Sequence, residues 1–345
     1  MAGRHAKRGR GGRIAAIVLL LLVVAGGAGA TGLYFWATGT PGGPARAVPI
    51  EVPSGATIAE ISELLEEKGV VRSAFAFRLV ARLRGAPSIQ AGRYELQTNM
   101  RPEAALEILD GGPIPEETVT LTIPEGLRVD QVAERVAEVL PVTAKEFLAA
   151  AESRRHALPP YLPKRRARSL EGFLFPKTYE LPATADADVV IERLLAQFEE
   201  EVSGLDWGRA ERLGLSPYEI VIVASLIERE ARVDEDRRKI SSVIYNRIEQ
   251  GMRLQIDATV QYALPEHKPR LTYADYEYPS PYNTYLNDGL PPTPIASPGL
   301  ASIEAALRPA KTNYLFYILV DDDGRHAFTE SYDEFLNIKN RVQSG

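Results

Sequence analysis

Residues 14–36 (IAAIVLLLLVVAGGAGATGLYFW) contain no charged side chain. Crossing the hydrocarbon core of a bilayer takes roughly 20 apolar residues in a helix, so this run is long enough to span a membrane. Arg4, Lys7, Arg8, Arg10 and Arg13 precede it with no acid among residues 1–13, and Tyr34 and Trp36 lie at its far end. Basic residues mark the cytoplasmic side of such a helix, and aromatic residues settle at the membrane–water interface. The expected topology is a cytoplasmic tail over 1–13, a transmembrane helix over 14–36, and everything beyond on the outer face of the cell membrane. A cleaved signal peptide is the competing reading. Against it, the apolar run exceeds the usual length of a signal core, and Ala28-Gly29-Ala30 is a weak match to a cleavage site. Residues 37–47, rich in Gly and Pro, read as a tether.

The tether leads into a body of about 300 residues within a chain of 345, long enough for two or three compact units. Taking the five N-terminal charges from the net −6 leaves −11 for the remainder. So acidic a body is a poor match for nucleic acid, which needs a basic face to neutralise phosphates. The chain has no cysteine, which excludes disulfides and thiolate metal sites. Its four histidines, His5, His156, His267 and His326, are scattered and none falls in a helical ligand motif. Neither a metal nor any other cofactor is expected.

Residues 48–112 read as a small α+β unit. A strand is expected over 48–52, and a helix over 57–68 from the spacing of Ile58, Ile61, Leu64 and Leu65. A second helix begins after Ser73, a strand covers 93–96, and a short helix starts at Pro102. Val52-Pro-Ser-Gly-Ala-Thr-Ile58 is then echoed by Ile123-Pro-Glu-Gly-Leu-Arg-Val129. The echo is either a duplicated binding module or two solutions to one strand-to-helix turn. Residues 113–215 read as a connecting α+β region that includes a solvated basic run at 164–168. The densest chemistry lies in 216–345.

Ser216-Pro217 has the form of a helix start, a cap residue followed by proline in the first turn. Residues 220–227 (IVIVASLI) are apolar nearly all round, so this helix is expected to be central. Glu228 and Glu230 follow at its end and point in different directions. Glu228 has Arg232 four residues on, a salt-bridge spacing. Glu230 continues the stripe of Val223, Leu226 and Ile227 and has no cation four residues on. Burial there raises a carboxyl pKa, as a general acid working at neutral pH requires.

The segments that follow this helix carry a resemblance. Ala224-Ser-Leu-Ile-Glu-Arg-Glu230 is followed by Val243-Ile-Tyr-Asn-Arg247, by Gly251-Met-Arg-Leu-Gln-Ile-Asp-Ala-Thr-Val-Gln-Tyr262 and by Pro281-Tyr-Asn-Thr-Tyr285. Gly289-Leu-Pro-Pro-Thr-Pro-Ile-Ala-Ser-Pro-Gly299 and Pro309-Ala-Lys-Thr312 complete the series, and Glu171-Gly-Phe-Leu-Phe-Pro-Lys-Thr-Tyr179 lies upstream. In this order and spacing they resemble the YceG-like family of endolytic murein transglycosylases. The likeness runs from about Val48 to the C-terminus. Departures fall at Lys177, Ile256, Ala258, Thr293 and Ser297, where the family often has Asp, Thr, Pro, Gly and Asn.

The resemblance implies a LysM-like module over 48–112 and an α+β catalytic region over 216–345 whose central helix carries the catalytic glutamate, Glu230. It implies a lyase that cuts the β-1,4 bond between N-acetylmuramic acid and N-acetylglucosamine and leaves a 1,6-anhydro end. Its substrate would be nascent glycan strands, whose elongation it terminates in company with peptidoglycan synthases or the elongation or division machinery. Gln255, Asn246, Tyr282, Asn283, Tyr285 and Glu228 are candidates for holding the sugar. Amides bond hydroxyl and N-acetyl groups, and aromatic faces suit apolar sugar faces. For each, a purely structural role is the alternative. Asp257 reads as a helix N-cap or as a second acid. Two rival functions stand beside this one: a muramidase-type hydrolase, which needs a second carboxylate, and a non-catalytic membrane-anchored scaffold.

Overall fold

The structure, a computed structural model, describes residues 39, 44–85, 88–115, 117–153, 156 and 170–344. The expected transmembrane helix over 14–36, the cytoplasmic tail and the basic run at 164–168 lie outside the described residues. Among the described residues, no helix is long and apolar enough to cross a membrane. The fold of the described residues is α+β, in two compact units, one ending before Glu117 and one running from it.

In the first unit, strand β1 (Ala47–Val52) leads to helices α1 (Ile58–Glu67) and α2 (Ala74–Leu83). Strand β2 (Gly92–Gln97) then returns antiparallel to β1, with Ile50 opposite Tyr94, and helix α3 (Pro102–Asp110) follows. Strand alternation sends Ile50, Val52, Tyr94 and Leu96 into a core shared with Leu65, Phe77 and Leu109. The starts of α1 and α2 are sequence-encoded. Thr57 and Glu60 form a reciprocal capping box, and the Ser73 side chain accepts from Ala76 N.

The second unit opens with strand β3 (Thr118–Thr122) and helices α4 (Val129–Val139) and α5 (Ala144–Glu152). Strand β4 (Thr178–Pro182) pairs antiparallel with β3, placing Leu121 opposite Tyr179. Helices α6 (Ala187–Val202), α7 (Gly208–Arg212) and α8 (Pro217–Glu230) follow, then α9 (Asp234–Glu249), α10 (Asp257–Ala263), α11 (Tyr273–Tyr276) and α12 (Leu300–Leu307). A hairpin of β5 (Phe316–Leu319) and β6 (His326–Thr329), then helix α13 (Tyr332–Ser344), ends the described chain. One hydrophobic core runs through this unit from Leu121 to Leu307.

Helix α8 occupies the middle of that core. Ser216 and Glu219 cap its start reciprocally, and Pro217 takes the first helical position. Every residue from 220 to 227 is at most 2% exposed, including Ser225. The Ser225 hydroxyl is satisfied: it donates to Ile222 O at 2.7 Å and accepts from Ile295 N at 3.1 Å. The helix packs most extensively on α12. The backbone turns extended at Ala231, so Glu230 is the last helical residue.

The two echoed segments fold alike. Each runs from a strand through Pro-x-Gly into a helix, and Gly55 and Gly126 share a φ of +76°, a left-handed conformation that glycine adopts without a Cβ penalty. The second turn lies against the end of α8. Gly126 N donates to Ser297 O at 2.9 Å, and Arg229 Nη1 donates to Gly126 O at 3.0 Å. Gly172, in the Leu170–Phe175 segment, has φ +87°. A Cβ there would fall 2.5 Å from Pro294 Cβ and 3.2 Å from Val221 of α8. The absence of a side chain lets the 289–299 loop seat against the central helix.

Candidate active site

Glu230 projects from the end of α8 into a cleft of about 600 Å³, walled by the 254–257 segment, the β5–β6 hairpin, α11, α13 and Tyr285. It keeps an edge open to the cleft, yet protein encloses its carboxyl closely enough for lost hydration to dominate. Burial pushes Glu230 up to about 7, and the neighbouring Asp257 charge pushes the same way. Hydrogen bonds from Tyr317 and Ala258 N, with the Arg229 charge, oppose the rise. Tyr317 Oη, on β5, donates to Glu230 Oε2 at 3.1 Å.

Asp257 faces the same cleft. It is the first residue of α10, and Ile256, not Asp257, occupies the cap position, so the N-cap expected from sequence is displaced by one residue. Its carboxylate is held by two phenols, Tyr285 Oη donating to Oδ1 at 2.6 Å and Tyr276 Oη to Oδ2 at 3.3 Å. The two rings meet with centroids 4.6 Å apart. Gln255, two residues earlier, lines the cleft with φ +51°. A non-glycine residue in that region is uncommon, and such strain concentrates at functional sites.

Arg247 holds two walls of the cleft together. Only 8% exposed, it donates through Nε to Leu315 O at 2.7 Å, just before β5, and through Nη1 to Leu254 O at 2.7 Å, just before Gln255. Its guanidinium lies over the Phe316 ring. One buried cation thus fixes the strand that presents Tyr317 relative to the segment that presents Asp257.

Of the residues proposed from sequence, the structure brings Glu230, Gln255 and Tyr285 to one cleft. The other four are engaged elsewhere. Asn246 donates to Thr312 O and Tyr314 O, both at 2.9 Å, anchoring the approach to β5. Asn283 is fully buried: its amide donates to Tyr276 O and Tyr278 O, and its Oδ1 accepts from Tyr285 N. Tyr282 bonds Thr293 and packs on Tyr262 at 4.7 Å. Glu228 pairs with Arg237 at 3.3 Å and accepts from Gly299 N at 3.0 Å. The spacing had pointed to Arg232 as its partner, but the helix ends before that residue, so the four-residue relation does not exist.

Tyr317, Tyr276 and Arg247 are the cleft residues to which sequence reasoning gave no role, and Asp257, open in sequence between a helix cap and a second acid, joins them there. A second buried acid, Glu171, is separate from the cleft. It accepts from Val129 N at 3.2 Å and Tyr262 Oη at 3.2 Å, and burial raises it to about 8 against those two bonds.

The YceG-like family profile matches residues 50–341. A Bacillus subtilis (strain 168) protein named endolytic murein transglycosylase is 35% identical over 311 residues, covering 86% of this chain and 85% of that protein. One of the same name from Streptococcus pneumoniae (strain R6) is 31% identical over 86% of this chain, which spans 59% of that longer protein. The crystal structure of a yceG-like protein from Listeria monocytogenes matches with a TM-score of 0.57 and 32% identity, covering 84% of this chain and 98% of that one.

Proposed function

The chain belongs to the YceG-like family, and from that premise and the surroundings of Glu230 we propose that it is an endolytic murein transglycosylase, a lyase acting on nascent peptidoglycan strands. The observation that carries the reading is one carboxyl, poised near neutrality at about 7, facing an open cleft. A group with that pKa supplies a proton and takes one back at the same pH.

Glu230, protonated, gives its proton to the bridging oxygen as the bond from that oxygen to C1 of N-acetylmuramic acid breaks. The C6 hydroxyl oxygen of the same sugar attacks C1 and closes the 1,6-anhydro ring, and its proton passes to the Glu230 carboxylate. Acid and base are one residue, and no water is consumed. Tyr317 holds the carboxyl in place. Asp257, kept in the cleft by Tyr276 and Tyr285, is an anion suited to the positive charge that develops at C1. Gln255 and Tyr285 contact the sugar. Asn246, Tyr282, Asn283 and Glu228 support the walls.

Residues 14–36 anchor the protein in the cell membrane with its N-terminus cytoplasmic, and the body works outside, beside the synthases whose strands it terminates. Residues 48–112 act as a LysM-like unit. A hollow of about 380 Å³ at the Pro53–Ala56 turn supports a glycan-facing role for it. The presence of Asp257 in the cleft favours one second reading, a hydrolase with paired carboxylates.

The test is digestion of purified peptidoglycan strands, with mass spectrometry of the products. Internal cuts ending in 1,6-anhydro-muramic acid, reduced on the order of 10²–10⁴-fold in Glu230→Gln, are expected. Reducing ends would convert the reading to a hydrolase, and undiminished cutting by the variant would remove Glu230 from the chemistry.

A further inference from the structure

A second cleft, of about 590 Å³, lies between α7, α9 and the segment after α12. Five cations line it, Arg209 and Arg212 from α7, Arg238 from α9, and Arg308 and Lys311 from the segment that leaves α12, and among the described residues no carboxylate does. In a chain of net −6 such a gathering of like charge is costly unless an anion occupies it. The architecture holds the cations together. Ala310 N donates to Arg238 O at 2.8 Å and Arg238 Nε donates to Arg308 O at 2.8 Å, so the 308–311 segment is tied to α9 from both sides.

Internal neutralisation is slight. Among the described residues, Asp206 is the one acid that pairs with the set, bonding Arg212 at 2.6 Å. It also lies 3.4 Å from Arg209 Nε, but without hydrogen-bonding geometry, and that buried nitrogen has no hydrogen-bond partner. The side chains of Arg308 and Lys311 have no ion-pair partner among the described residues. Guanidinium forks match phosphate oxygens two at a time, and an ammonium adds a point charge. Four forks and one ammonium exceed what a single carboxylate needs, and the cleft has room beyond a lone phosphate.

We propose that this cleft is a binding site for a phosphate-ester anion carrying more than one negative charge, a diphosphate group above all, separate from the Glu230 cleft. The anion bridges α7 and the 308–311 segment, and binding falls steeply with salt.

The experiment is calorimetric titration of the full chain with inorganic pyrophosphate at near-physiological ionic strength, with citrate as a carboxylate of comparable charge. Hydrogen exchange locates the site. Expected is one-to-one binding of pyrophosphate at least tenfold tighter than citrate, protection confined to α7, the start of α9 and 308–311, and at least a tenfold loss in the double variant Arg212→Ser/Lys311→Ser. Unchanged circular dichroism and glycan cleavage in that variant show that it folds, and keep this result independent of the reading of Glu230. Equal binding of citrate, binding unaffected by the double variant, or protection elsewhere would overturn the proposal. A competition arm separates two sources of the anion. If phosphatidylcholine vesicles doped with phosphatidic acid, a phosphate monoester able to carry two charges, suppress the pyrophosphate signal and pure phosphatidylcholine vesicles do not, the natural ligand is a lipid headgroup; suppression by neither assigns a soluble diphosphate.

Discussion

Glu230 ends α8 with Tyr317 bonded to its carboxyl and the Asp257 charge beside it. Its position on the stripe of Val223, Leu226 and Ile227 already implies a desolvated carboxyl. Tyr317, 87 positions later on a short strand, gives no periodic signal that would connect it to α8. Asp257 reads locally as a cap or as a second acid, because cap and cleft residues share the same small acidic chemistry. Two substitutions should move Glu230 in opposite directions. The acid must be protonated to work, so activity should be flat below about pH 7 and fall tenfold per unit above it. Tyr317→Phe removes a donor that favours the carboxylate, so the falling limb should move to higher pH while kcat drops roughly tenfold, the scale of one hydrogen bond to a charged group. Asp257→Asn removes a charge that disfavours the carboxylate, so the limb should move to lower pH. The pH profile of kcat for the two variants checks both signs, and limbs moving together would contradict this electrostatic picture.

At the level of elements, helix α8 was legible almost residue by residue, from the Ser216-Pro217 start to the apolar run. Both signals are local, since a cap needs three residues and an all-apolar surface needs only the pattern. The loops that complete the cleft were not legible, because their order comes from side chains bonding distant backbone. Asn283 shows the difference. An asparagine in Pro-Tyr-Asn-Thr-Tyr suits a sugar contact or a turn pin equally well in sequence, and its three bonds to the 276–285 loop are visible only in three dimensions. Asn283→Ala leaves two carbonyls and one amide without partners, so a loss of about 2–4 kcal/mol in stability is expected, with a rise in KM as Tyr285 loosens. Urea denaturation beside steady-state kinetics checks this. A rise in KM without loss of stability would instead mark Asn283 as a sugar contact.

For the molecule as a whole, the α+β class and the ordered motifs were readable. The meeting of α7, α9 and the 308–311 segment was not, since its arginines are spread over about 100 positions and look like ordinary surface charge. Glu171 is another feature that only the folded chain shows. Burial holds it at about 8, against 4.5 when exposed, so the folded state keeps a proton that the unfolded state gives up. The stabilising contribution is therefore complete below about pH 4.5 and is lost as pH rises through about 8. Glu171→Gln should remove roughly one proton's worth of slope from the pH dependence of stability between those limits and make the protein more stable than wild type above pH 8. Denaturation midpoints from pH 5 to 9 for both proteins check it.

The missing methyl group at Gly172 sets a rule for how these sequences can drift. With Pro294 pressed into the space that any side chain there would need, and a backbone angle that suits only glycine, neither position is free to wander alone. Among diverging relatives the two sites should change together or stay fixed together. A lineage that acquires a side chain at 172 should be found to have reshaped or shortened the loop bearing 294, leaving a trace of the loop's seating in ancestry as well as in space.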